Sequence, residues 1–177
     1  MAVSFKKTAK SETLTIRLDP KSRFMLEFLS RLKGQTITTV VERAIAEAAG
    51  RERVTVDRPF YSGEVDEKTW RDFWSVSEAE RGLKLARLPE IHPTYDEERR
   101  LDFATRWWQF FFTNEHALIV DRQLADILWP RIDRFIEIEQ ENQTTNALAV
   151  GDAMSQALRD AGIEPPAWMP ANAHIPF

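Results

Sequence analysis

From residue 13 the chain reads Thr-Leu-Thr-Ile-Arg-Leu, so Thr13, Thr15 and Arg17 fall at every second position. Two hydroxyls and a guanidinium on one face can make hydrogen bonds, and that is chemistry of recognition rather than of bond breaking. The same alternation occurs on any solvent-exposed strand face, so it names no ligand by itself. Other reactive types are sparse. The chain has no cysteine, which excludes disulfides, zinc fingers and thiol catalysis and agrees with a reducing, cytoplasmic setting. His92, His116 and His174 lie far apart, with no pair at helical spacing, so no metal and no cofactor is expected. The six glycines are isolated, so there is no phosphate-cradling loop. Asp96, Glu97 and Glu98 sit at a predicted helix start, where carboxylates favour the helix dipole. No catalytic constellation emerges, and the chain is not expected to be an enzyme.

The elements that position these residues follow from periodicity. Residues 11–18 alternate polar and apolar, with Leu14, Ile16 and Leu18 on one face, and predict a half-buried strand. Asp19-Pro20 is a cap followed by proline at the first helical position. The helix it opens, PKSRFMLEFLSRLK, carries an apolar stripe of Met25, Leu29 and Leu32 flanked by Leu26 and Phe28, and Gly34 ends it. Thr36 caps a second helix whose apolar face is Ile37, Val40, Val41, Ala44, Ile45 and Ala48. A basic arm with Lys6, Lys7 and Lys10 precedes the strand. Residues 1–53 carry 11 Lys and Arg against 6 Asp and Glu, a net of +5, whereas 54–177 carry 13 against 22, a net of −9. A basic head on an acidic body suits contact with a polyanion at the head alone.

One strand and two short helices cannot bury Leu14, Ile16 and Leu18 or satisfy the strand's edges. A second copy solves both problems. Two strands pair antiparallel across a two-fold axis, four helices close beneath them, and the ribbon's outer face shows Thr13, Thr15 and Arg17 twice. A two-stranded ribbon fits the major groove of double-stranded DNA. The dimer core would hold Leu14, Ile16, Leu18, Leu29, Val41 and Ile45.

The stretch TLTIRLDPKSRFMLEFLSRLKGQTITTVVERAIAEA resembles the ribbon-helix-helix family, also called MetJ/Arc or CopG-like, over about residues 11–50. The resemblance rests on the alternating strand ending in Arg-Leu, the capped first helix, and Gly-x-Thr opening the second. It implies base contacts from Thr13, Thr15 and Arg17, with Arg17 giving a bidentate pair to a guanine. It implies a phosphate clamp at Thr36, Ile37 and Thr38, and further phosphate contacts from Lys6, Lys7 and Lys10. Ser22 departs from the family, which has an apolar residue there. The family's nickel-sensing members have a histidine-rich C-terminal domain that this chain lacks, so no metal role carries over.

The expected fold is mainly α: a ribbon-helix-helix module over 11–53, a linker over 54–65, and an all-α domain over 66–177 with a proline-rich tail. Helices are expected over 66–75, 77–88, 94–113, 116–140 with a break at Pro130, and 144–161. All six tryptophans lie in this second part, so it has its own core. The block RWWQFFF, Arg106 to Phe112, puts aromatics nearly all round a helix, fit for a core or for an interface with another protein. No run of about 18 apolar residues exists, so no membrane span is expected. The function these features favour is a DNA-binding transcriptional repressor acting as a homodimer, or as a dimer of dimers. The alternative is an antitoxin, plasmid partition factor or DNA-transfer accessory whose helical domain holds a protein partner.

Overall fold

The computed structural model folds mainly as α-helices with one small two-stranded sheet. It describes residues 13–57, 65–142, 145–146 and 148–168. The chain divides into two compact units, Met1–Arg51 and Glu52–Phe177.

In the first unit, α1 (Pro20–Lys33) begins at the Asp19-Pro20 pair. The Asp19 carboxylate accepts the N–H groups of Lys21 (2.9 Å) and Ser22 (3.0 Å) and the Ser22 hydroxyl (2.6 Å). Ser22, standing where an apolar residue is expected, is therefore part of the cap. Its hydroxyl is the largest influence holding the Asp19 carboxyl below its ordinary pKa. Gly34 closes the helix in the left-handed region (φ 59°), where a Cβ would be strained, and Gln35 N–H bonds back to the Ser30 carbonyl at 3.0 Å. After this turn α2 (Ile37–Arg51) begins. The strand expected over 11–18 is not formed over 13–18, which carry no ladder with any other segment among the described residues.

The cap yields a first prediction. Asp19→Ala should accelerate amide exchange at Lys21 and Ser22, while Asp19→Asn, an equal cap, should keep most of the protection. Because the folded pKa is depressed, the carboxylate's contribution is present above its unfolded pKa and lost as pH falls through the folded one. Unchanged exchange in the alanine variant would mean the cap is idle.

The second unit opens with a hairpin. Strand β1 (Val54–Asp57) pairs antiparallel with β2 (Val65–Lys68), Val54 opposite Lys68 and Asp57 opposite Val65. One expectation is corrected here: the body is not all-α. The segment 54–65 expected as a linker contains β1 and the first residue of β2. The branched run Val54-Thr55-Val56 suits a pleated surface, and pairing takes Asp66, Glu67 and Lys68 from the helix expected over 66–75. Only α3 (Trp70–Phe73) remains, opened by Thr69, whose N–H reaches the Asp72 carboxylate at 2.8 Å.

The core then assembles from α4 (Glu78–Leu85), α5 (Tyr95–Arg106), α6 (Trp108–Phe111), α7 (Arg122–Leu128), α8 (Ile132–Asn142) and α9 (Ala149–Asp160). The helix expected over 94–113 is broken at Trp107 (φ −101°, ψ 42°). Packing explains the break. Along an unbroken helix, Phe110, Phe111 and Phe112 would fan over about 200°, so one would face water. Broken, the chain buries Phe103, Phe110, Phe111 and Phe112 together, and burying each ring contributes roughly 1.5–3 kcal/mol. The RWWQFFF block thus serves the core. Pro130 sits in a 3-10 turn, Trp129–Arg131, between α7 and α8, so the expected break is found. Trp129 lies so close over Gly82 that a Cβ there would meet its ring at 2.6 Å.

Across α5 and α8, Arg100 donates from Nε to Asp133 Oδ1 (2.9 Å) and from Nη2 to Oδ2 (2.6 Å). The Arg100 hydrogen bond is the main cause of a lowered Asp133 pKa. Asp133 is half exposed, so solvent screens the pair, and Asp133→Asn should cost about 0.5–1 kcal/mol at neutral pH in denaturant unfolding. The gap between variant and parent should close as pH falls through the folded carboxyl pKa, because that stabilisation needs the ionised form. A gap unchanged in acid would assign the loss to packing instead.

Candidate nucleic-acid interface

The site begins where α1's approach, the Gly34 turn and the start of α2 meet one another in sequence. Thr13, Thr15 and Arg17 are all exposed, and none has a hydrogen-bond or ion-pair partner among the described residues. An unpaired guanidinium with five donors keeps its full capacity for an external acceptor. Lys6, Lys7 and Lys10 lie outside the described residues.

Thr36 caps α2. Its Oγ1 accepts from the Thr39 N–H at 3.2 Å and lies 3.0 Å from the Thr39 hydroxyl. The Thr36 carbonyl takes the Val40 N–H at 3.1 Å. The N–H groups of Ile37 and Thr38 have no partner among the described residues, as the first donors of a helix must. No acidic side chain occupies the first turn of α2, so an anion there would meet no repulsion from the helix's own start.

Of the residues expected in the dimer core, Leu14 is 81% exposed, Ile16 54%, Leu18 43%, Leu29 36% and Ile45 60%, while Val41 is half-buried. Within one chain they do not come together as a core. In the first unit only Val40 is buried among the described residues. Phe24, outside the expected stripe, stacks on Phe28 with centroids 6.3 Å apart, and both are exposed. Its i, i+4 spacing to Phe28 on α1 is the signal that would include it. A shallow groove of about 230 Å3 runs between α1 and α2, lined by Leu29, Val40 and Ala44 among others, and the Gln35 Oε1 is buried with no donor.

The second unit contributes a different site that the sequence reading missed. A cleft of about 800 Å3 lies along α5 and α8, with Tyr95, Glu98, Asp102 and Arg106 recurring on one helical face. The recurrence is visible in the sequence, where Glu98 belongs to the acidic helix start of Asp96, Glu97 and Glu98. No protein-family model matches the chain, and neither the curated proteins nor the solved structures yield a match.

Proposed function

We propose that residues 11–50 pair with the same segment of a second copy as a ribbon-helix-helix, and that the protein is a sequence-specific DNA-binding transcriptional repressor. The observation that carries this reading is the apolar surface of the first unit. About forty residues hold two capped helices and an alternating segment, yet bury almost nothing. Units of this size below roughly 40 residues need an external source of burial to be stable. A second copy supplies it symmetrically, since the same Leu14, Ile16 and Leu18 are offered by both protomers. The polar face is then turned outward with Thr13, Thr15 and Arg17 in duplicate, and the free N–H groups of Ile37 and Thr38 sit at a positive helix end, the arrangement that holds phosphate.

The test is a fluorescence-anisotropy titration of the full chain against the DNA upstream of its own gene and against a scrambled duplex, at two salt concentrations, with sedimentation of the free protein. A dimer that prefers the upstream DNA supports the repressor. Equal affinity for both duplexes would overturn sequence-specific repression and leave a structural role on DNA. A monomer at micromolar concentration, or no binding at low salt, would overturn the ribbon itself.

A further inference from the structure

The cleft along α5 and α8 is independent of the DNA-binding reading. Its volume of about 800 Å3 falls within the roughly 300–1,000 Å3 typical of small-molecule sites. Three aromatic rings line it: Tyr95, Trp107 and Trp168. Trp107 and Trp168 are tilted against one another with centroids 5.7 Å apart, and Tyr95 is 76% exposed.

The charges decide the ligand's sign. Both cations on the lining face carboxylates, and the Arg99 Nε is buried without an acceptor among the described residues and so is closed to a ligand in the cleft. Arg106 Nη2 lies 2.7 Å from Glu139 Oε2, and Arg99 reaches Asp96 (3.7 Å) and Asp133 (3.4 Å). The second oxygen of Glu139 takes the Trp107 indole N–H at 2.8 Å. Glu98 and Asp102, one turn apart on the exposed face of α5, have no hydrogen-bond or ion-pair partner among the described residues. Two free carboxylates therefore face the same space as aromatic rings, whose faces are themselves negative. An anion would be repelled. Among the described residues no three carboxylate or imidazole groups converge as a metal site would require, and ring faces add nothing to a small hard ion. A diffuse cation on an apolar body uses both features, the charge against carboxylate and ring face, the body against Ile136 and Leu148.

We propose that this cleft binds a small organic cation, an amine or amidine carried on an aromatic or apolar body. Glu98 and Asp102 neutralise its charge, and Trp107, Trp168 and Tyr95 wall it in.

The experiment uses the full chain and reads its six indole N–H resonances while benzylammonium, and separately benzoate, is added. Saturable shifts confined to Trp107 and Trp168 with benzylammonium, and none with benzoate, are expected. Glu98→Gln combined with Asp102→Asn removes two exposed charges with no partner among the described residues, so the fold should hold and the indole spectrum without ligand should match the parent. Benzylammonium binding should weaken at least about tenfold in that double variant. Absent shifts, shifts scattered over all six indoles, equal shifts with benzoate, or undiminished binding by the double variant would each overturn the proposal.

Discussion

Arg17→Ala is expected to abolish the preference of the protein for the DNA upstream of its gene over a scrambled duplex. The size of the effect follows from symmetry. A guanidinium that donates two hydrogen bonds to one guanine is worth about 1–3 kcal/mol against the wrong base. A two-fold dimer presents the side chain twice, so the substitution should cost about 2–6 kcal/mol in specific affinity when the two sites behave independently. Among the described residues Arg17 has no partner to lose, so the free protein should keep its fold and, on the proposed reading, its pairing. Nonspecific binding should fall only by the phosphate-type attraction of one charge per protomer, which salt screens. Anisotropy titrations against both duplexes separate the two effects. A variant that still discriminates as well as the parent would remove Arg17 from the base-reading face. Lysine at the same position tests geometry rather than charge, because it keeps the cation and loses the planar fork.

Local chemistry made the first unit legible. Asp19-Pro20, Gly34 and Thr36 each act on the residues beside them, and α1 spans the predicted Pro20–Lys33 with its glycine stop. Alternation from Thr13 to Leu18 marks which side chains share a face of an extended segment, but alternation alone supplies no pairing partner, and over 13–18 no ladder forms among the described residues. The second unit was less legible because its decisive contacts are distant in sequence. Val54 and Thr55 pair with Lys68 and Glu67 across a segment holding Pro59 and Gly63, which by themselves signal a linker. Nothing near Trp107 breaks a helix; the break follows from three consecutive phenylalanines seeking one interior. The cleft is hidden for the same reason. Glu98 and Asp102 come from α5, Glu139 from α8 and Trp168 from the final strap, so no local pattern joins them.

Trp168→Ala should destabilise the second unit by about 3 kcal/mol, the low end of the range for deleting a large aromatic, because the ring is only partly buried. The strap it belongs to, residues 163–168, has no regular secondary structure; its start is held by the Ile163 N–H donating to the Leu158 carbonyl (2.9 Å), and Trp168 holds its far end. The ring lies against Trp107 and Phe110, with centroids at 5.7 and 5.9 Å. It also covers Gly151 of α9 so closely that a Cβ there would fall 2.2 Å from the ring. That contact gives the prediction a sign no simple loss of burial would produce. Inside a helix, glycine to alanine ordinarily stabilises by about 1 kcal/mol. With Trp168 present, Gly151→Ala must push the ring off α9, and overpacking of this kind costs about 1–3 kcal/mol, enough to cancel or reverse the gain. With Trp168→Ala in the background the three atoms nearest the methyl are gone, and the helix gain should reappear. Denaturant unfolding of the four proteins in the cycle measures the coupling between the two positions. An alanine at 151 that has the same effect in both backgrounds would mean the strap is not seated on α9. A coupling of the expected sign would establish that Gly151 is required by the tryptophan above it, and that the wall of the cleft formed by Trp168 is built from the inside of α9 outward.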